Sequence, residues 1–370
     1  MSPRRLAAPL LISAATLAAA LSASTAARGP AVFGAATDFA VGANPESVVS
    51  RDLDGDGVRD LAVANKGDDD VSILLGDGAG AFDLDDDYPV GAEPQDIVAG
   101  RFNRDRAFDL AVPNRMDDTI SVLLGRGDGT FRNAKNRNVG ASPRALTVAD
   151  FNRDGRQDLA CANFADDDVS ILLGKGRAKF RRADRRVGDT PRAVDAGRLD
   201  RRRGVDLAVV NDMDEDVTAL VNRGDGRFGS REDFSVGSMP FSLTLADLDG
   251  DGFRDLAVAN SGDSNVSIRL GDGEGGFGAE ATFDVGANPF YVEHGNLDGM
   301  PGLDLLVSNF DDDDVSLLPG NGDGSFDPAD DYMVGDQPIG IDIASFDSAN
   351  GQDVAVANSG DDDVSVLLNE

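Results

Sequence analysis

Val41-Gly42-Ala43-Asn44-Pro45 is the first of seven V-G-x-x-P segments, and their spacing decides the fold. The other six begin at Val90, Val139, Val187, Val236, Val285 and Val334, so the steps are 49, 49, 48, 49, 49 and 49 residues. Each segment is followed by an apolar run like Leu61-Ala62-Val63-Ala64-Asn65 and then by one like Val71-Ser72-Ile73-Leu74-Leu75. A fixed period of this size marks a solenoid, propeller or array, whose units bury their faces only against neighbours.

Within the first unit, Glu46 to Asp52 reads as a strand and Leu53 to Arg59 as a Gly/Asp turn. Asp60 to Asn65 is a second strand, Lys66 to Asp70 a polar turn, and Val71 to Leu75 a third strand. Gly76 to Gly80 is a tight turn that needs glycine dihedrals, and Phe82 to Val90 is a more polar fourth strand. Pro45, in the link between units, is expected to end pairing there. Four short strands per unit make a small twisted antiparallel sheet, and such sheets repeated radially make a propeller.

Closure separates a ring from an open array. The seventh unit stops at Leu368-Asn369-Glu370, directly after its third strand. An unpaired piece precedes the first unit, with Phe33 eight residues before Val41, as Phe82 is before Val90 and Phe326 before Val334. That piece has fourth-strand character and should complete the last sheet. The expected fold is all-β: a seven-bladed β-propeller of four antiparallel strands per blade, the last blade closed by the N-terminal strand. The units run 42–90, 91–139, 140–187, 188–236, 237–285, 286–334 and 335–370, with residues 31–41 as the closing strand, in one domain spanning 28–370.

Residues 1–27 read as a leader. Arg4 and Arg5 precede an apolar stretch from Leu6 to Leu21 and small residues to Ala27, the pattern of a secretory signal with cleavage after Ala27 or Ala23. Export to the extracellular space, periplasm or cell surface is expected, with no membrane span in the mature chain. The formal net charge of −33 repels nucleic acid and anionic membranes and attracts cations and basic partners. Adaptation to high salt is an alternative source of the same acidity.

The loop between the first and second strands carries the chemistry. In the first unit carboxylates fall at positions 1, 3, 5 and 9 as Asp52, Asp54, Asp56 and Asp60, with Gly57 at position 6 and the Val58 carbonyl available at position 7. Alternate side chains on a curled loop converge on one point, and Ca²⁺ takes about six to eight oxygens. An EF-hand begins the same way but needs Glu at position 12 and flanking helices; position 12 here is Val63, within a strand. The third unit repeats the set as Asp150, Asn152, Asp154, Arg156 (carbonyl) and Asp158, and the fifth as Asp247, Asp249, Asp251, Phe253 (carbonyl) and Asp255. About three structural Ca²⁺ ions are expected. In the second and fourth units Arg101 and Arg198 replace the first ligand and are expected to pair with Asp109 and Asp206 in place of an ion. The sixth and seventh units have lost too many carboxylates to bind one.

Turns between the second and third strands form a second acidic series, including Asp68-Asp69-Asp70 and Asp311 to Asp314, at the end of the sheet opposite the calcium loops. They read as a solvated face, or as a site for a cationic or hydroxyl-rich partner, with Phe164, Phe310, Met116 and Met213 as exposed apolar contacts. Cys161 and His294 are each the only residue of their type, so no disulfide and no Ser/His/Asp or Cys/His set is available. Cys161 reads as a buried hydrophobe and His294 as a hydrogen-bonded, half-buried side chain.

The pairing of D-x-D-x-D-G-x-x-D-L (Asp52 to Leu61, Asp247 to Leu256) with G-D-G-x-G-x-F (Gly76 to Phe82, Gly271 to Phe277) resembles the FG-GAP/VCBS repeat family, which includes the N-terminal propeller of integrin α subunits. The resemblance covers about residues 31–370. It implies seven blades, Ca²⁺ in the first-to-second-strand loops and a role in adhesion or ligand binding; only loops one, three and five match its ligand pattern. The resulting expectation is a secreted, monomeric, calcium-binding module without catalytic activity, whose partner is a protein or a glycan. A lectin-like propeller and a secreted polysaccharide hydrolase or lyase are the alternatives.

Overall fold

The computed structural model describes residues 32–349 and 351–369, so the expected leader at 1–27 lies outside the described residues. Among the described residues every regular element is a strand, and no helix is long and apolar enough to cross a membrane. Strand β1 is Thr37–Ala40. The first blade holds β2 (Pro45–Arg51), β3 (Asp60–Asn65), β4 (Asp70–Gly76) and β5 (Phe82–Pro89). The second holds β6 (Val98–Gly100), β7 (Asp109–Asn114), β8 (Thr119–Leu123) and β9 (Lys135–Asn138). The third is β10 (Pro143–Ala149), β11 (Asp158–Asn163), β12 (Asp168–Gly174) and β13 (Phe180–Arg186). The fourth is β14 (Pro191–Gly197), β15 (Asp206–Asn211), β16 (Asp216–Asn222) and β17 (Phe228–Ser235). The fifth is β18 (Pro240–Ala246), β19 (Asp255–Asn260), β20 (Asn265–Gly271) and β21 (Phe277–Asp284). The sixth is β22 (Pro289–Gly295), β23 (Asp304–Asn309), β24 (Asp314–Leu318) and β25 (Asp330–Met333). The seventh has β26 (Pro338–Ala344), β27 (Asp353–Asn358) and β28 (Asp363–Leu367).

The seventh sheet has the order β1-β28-β27-β26, so the leading strand completes it. Thr37 faces Val366 and Ala40 faces Asp363 in an antiparallel ladder that the Gly34 amide extends to the Leu368 carbonyl at 3.0 Å. Phe33 bridges to Asn369 and is 4% exposed, filling the place that Phe82 fills in the first blade. The fold read from the period is the one observed.

The prolines do something other than end pairing. Pro45 pairs with Asn65 as the first residue of β2, and a register shift follows before Ser47. The same shift follows Pro143, Pro191, Pro240, Pro289 and Pro338. A proline at the start of a strand sits where its missing N–H removes no ladder bond.

The core is divided among the joints. Seven hydrophobic clusters each combine residues of two consecutive blades: Ile73 and Val71 with Leu110 and Val112 at the first joint, and Phe346 and Val366 with Leu61 and Phe82 at the last. The strands β3, β7, β11, β15, β19, β23 and β27 are buried along their whole length, because both faces of each blade meet a neighbour. Edge-to-face aromatic pairs cross all seven joints, including Phe39–Phe82 at 5.5 Å and Tyr332–Phe33 at 5.1 Å. Cys161 sits in one of these clusters fully buried, and desolvation pushes its thiol well above the ordinary range.

Phe33 therefore anchors the ring. Phe33→Ala is expected to cost about 3–5 kcal/mol of stability, read by chemical denaturation, because a buried aromatic is lost from a joint that cannot collapse.

Candidate functional site

The first-to-second-strand loops are built around the residue at position nine. In all seven blades this Asp accepts the amide two residues into its own loop and the amide that ends the third strand. Asp60 takes the Leu53 and Gly76 amides at 2.7 and 3.0 Å, and Asp353 takes those of Phe346 and Asn369 at 2.6 and 2.9 Å. Asp109, Asp158, Asp206, Asp255 and Asp304 do the same. None of the seven is more than 1% exposed. Position nine thus has a folding role in every blade, with or without an ion.

Loops one and five add a cluster. One oxygen each from Asp52, Asp54 and Asp60 lies within 4.8 Å of the others, and the same holds for Asp247, Asp249 and Asp255. Asp56 and Asp251 stand outside these clusters and accept the Val58 and Phe253 amides, which curls each loop at the glycines. Asp247 accepts the Gly252 amide with Oδ2, while its Oδ1 is buried without any hydrogen-bond partner. Burial pushes Asp255 up to about 6 against the pull of its two amides, and Asp249 adds to the rise. Asp60 is raised for the same reasons, burial first. Such a set fits a hard cation: several carboxylate oxygens crowded together, one of them desolvated and unsatisfied.

Loop three differs. Asp150 accepts the Asp154 and Gly155 amides, Asn152 accepts the Asp154 amide, and Arg156 pairs with Asp154 at 2.7 Å. Asp158 is again pushed up to about 6 by burial. Asn152 at position three leaves this loop one carboxylate short of the other two, and Arg156 engages Asp154 at position five.

The arginines of loops two and four do not stand in for an ion. The Arg101 guanidinium lies over the Phe108 ring at 4.6 Å, beside a groove of about 560 Å³ next to loop one. Arg198 is exposed and, among the described residues, makes no ion pair with Asp206. In both loops the position-nine carboxylate is buried and held by backbone amides, and the arginine side chain lies away from it.

The second acidic series is a set of amide caps. In every blade the first residue of the turn reaches back to its own V-G-x-x-P link: Asp68 accepts the Ala43 amide at 2.7 Å and Asp361 that of Asp336 at 2.8 Å. The second residue reaches forward to the next blade. Asp69 accepts the Glu93 amide, Asp118 that of Ser142, Asp167 that of Thr190, Asp313 that of Gln337, and Asp362 that of Asn44 across the closure. Both partners hold positive φ, as at Asp69 (58°) and Glu93 (52°). The third residue accepts the side-chain amide of the Asn that ends the second strand, as Asn65 donates to Asp70 at 2.8 Å. Glu215 and Ser264 occupy the second place at the remaining joints and make no such bond to Met239 or Asn288. Met116 and Met213 are 63% and 73% exposed, but Phe164 and Phe310 fold toward the central channel and stack there.

His294 donates or accepts at Thr244 Oγ1 (2.7 Å) and lies 3.0 Å from Glu293. Burial pulls its pKa down, but Glu293 and Asp195 outweigh that and raise it.

Family models of the FG-GAP-like repeat match residues 102–161 and 199–258, and the FG-GAP repeat model matches 239–279. Residues 102–161 and 199–279 thus carry FG-GAP-type repeats within the seven-bladed propeller, as the turn motifs implied. No curated protein sequence matches it. Among solved structures, BBS1N in complex with ARL6DN is 14% identical at a TM-score of 0.66, over 92% of this chain and 97% of its own. Virginiamycin B lyase from Staphylococcus aureus is 11% identical at 0.66, over 91% and 100%. An Agrocybe aegerita lectin that recognises non-reducing terminal N-acetylglucosamine is 15% identical at 0.54, over 82% and 91%. These likenesses establish the fold, which serves binding modules, lectins and lyases alike.

The forward-reaching aspartates give a paired test. Asp118→Ala is expected to lower stability by about 1 kcal/mol, and Ser264→Asp, which restores a missing cap, to raise it by about 0.5–1 kcal/mol in urea melts.

Proposed function

We propose that this chain is an exported, calcium-stabilised propeller that serves as a binding module rather than a catalyst. The observation that carries the calcium reading is Asp247 Oδ1, a buried carboxylate oxygen with no partner beside Asp249 and Asp255. Loops one and five would hold the ion through Asp52, Asp54 and Asp60, and through Asp247, Asp249 and Asp255. Asp56, Asp251 and the carbonyls of Val58 and Phe253 complete the sets. Loop three would bind more weakly through Asp150, Asn152, Asp154, Asp158 and the Arg156 carbonyl, since Arg156 competes for Asp154. A bound cation cancels like-charge repulsion and stiffens a loop on which the next blade leans: Gly129 donates to the Leu53 carbonyl and Gly324 to that of Leu248.

The absence of catalysis is supported by the engagement of His294 with Thr244 and Glu293, and by the burial of Cys161. Export is supported by the leader pattern of residues 1–27. A sugar platform would need open ring faces, and the channel phenylalanines cover one another's faces instead.

Calcium is expected to raise the melting temperature of the full chain by several degrees over chelator, by ligand linkage. Asp247→Ala removes part of the shift. Asp109→Ala, in a loop without the cluster, loses about 2–4 kcal/mol equally with and without calcium, because two buried amides are orphaned. The pH dependence has a defined sign. Asp255 titrates at about 6 in the ion-free protein, against roughly 4 when unfolded. The folded state therefore holds more protons between those values, and ion-free stability falls as pH rises through that window. Calcium needs the deprotonated form, so its shift is larger at about pH 7.5 than at about pH 5. No shift at the higher pH removes the calcium reading.

A further inference from the structure

The inner strands enclose a channel whose mouth lies at the end of the aspartate turns. The residues that follow the prolines line it, and they change from blade to blade: Glu46, Gln95, Arg144, Arg192, Phe241, Phe290 and Ile339 succeed one another around the ring. They surround a cavity of about 120 Å³ to which all seven blades contribute.

Arg144 is the anomaly in this mouth. Its Nη1 donates to Gln95 Oε1 at 2.7 Å, and its guanidinium lies 4.8 Å from the Phe164 ring centroid. Its Nε is buried with no hydrogen-bond partner. Among the described residues no carboxylate lies within ion-pair distance of it, whereas Arg115 has Glu93 and Arg192 has Asp212, each at 2.7 Å. Desolvation, then Arg115 and Arg192, push its pKa down to about 10. Glu46 and Glu93 act on it in the opposite direction from beyond ion-pair distance, so a desolvated guanidinium with no contacting carboxylate is left with donor capacity for an anion.

The surroundings favour the same occupant. Arg192 lies over Phe241 at 4.3 Å, Phe241 over Phe290 at 3.9 Å, and Phe290 over Phe310 at 4.6 Å. With their faces covered, the rings offer their edges, where the aromatic quadrupole is positive.

We propose that the channel mouth binds a small organic carboxylate, with Arg144 as the principal anchor, Arg192 flanking it and the Phe241–Phe290 stack against its apolar body. The guanidinium fork matches a carboxylate in two parallel hydrogen bonds. The cavity admits one compact group, and the ring of aspartate turns around the mouth repels a multiply charged anion or an acidic polypeptide. A neutral ligand lacks the charge-assisted part of the interaction with Arg144, and a cation is repelled by it. This deepens the binding-module reading by giving that module a ligand chemistry, and it does not depend on the calcium loops, which lie at the other end of the channel.

The test uses the full chain with calcium, titrated with benzoate and with its neutral isostere benzamide, by calorimetry and saturation-transfer NMR. Saturable benzoate binding, no benzamide binding, a loss of about tenfold or more in Arg144→Gln and no change in Arg227→Gln at the far end support the site. Should Arg144→Gln fail to fold, protection of Arg144 from phenylglyoxal by benzoate in the unaltered protein, mapped by peptide mass, gives the same answer. Absence of benzoate binding to folded protein, equal binding of benzamide, undiminished binding by folded Arg144→Gln, or preference for an oligo-aspartate peptide overturns the proposal. Repeating the titration in chelator keeps the two readings apart: benzoate binding without any calcium-dependent melt sinks the ion and leaves the mouth.

Discussion

The structure depends on the burial of each blade against the next. No blade has a core of its own; the seven apolar clusters lie at joints, each fed by two sheets. A sheet with two apolar faces has no stable existence alone, and a row of them has two unprotected ends. Joining the ends removes both. That is why ten residues before the first repeat matter as much as any blade: Phe33 enters the joint between the sixth and seventh blades, and Phe39 that between the seventh and first.

Acidity serves this arrangement twice. At one end, position-nine aspartates gather one amide from their own loop and one from the end of the third strand. At the other, consecutive turn residues fasten each link to its own blade and, at five of the seven joints, to the neighbouring one. Much of the net charge is therefore placed where backbone N–H groups at special dihedrals must be satisfied. Mutual repulsion remains, and it is greatest where Asp52, Asp54 and Asp60, or Asp247, Asp249 and Asp255, converge. The chain places its clearest cation-binding geometry at those two points.

The blade count, the strand order within a blade and the closure were legible because the period and the misplaced Phe33 segment state them directly. The carboxylate loops were legible as a pattern, yet the double duty of Asp60 and its six equivalents was not. Their amide partners lie 7 and 16 residues away, the second on the far side of a strand. The forward caps were hidden for a related reason: Asp69 and Glu93 belong to different blades, and only the ring brings them together. Arg101 misled because removal of a ligand suggests replacement by a counter-charge, while Asp109 is buried among backbone amides and the guanidinium lies over Phe108 instead. The channel mouth was missed although a signal exists. Aligning the residue after each proline shows a position where the repeats differ in charge and shape, and these unlike side chains meet around one cavity.

The pairing of β1 with β28 joins residues some 327 positions apart, as in the bond from Ser365 Oγ to Asp38. On the ribosome the first strand made is thus the last to find its partner. Until β28 emerges, the growing array carries a sticky blade at each end, and every intermediate is an invitation to pair with another chain. The clasp couples the order of synthesis to the risk of tangling, and a cell making this protein gains from keeping the leading segment shielded until the circle can shut.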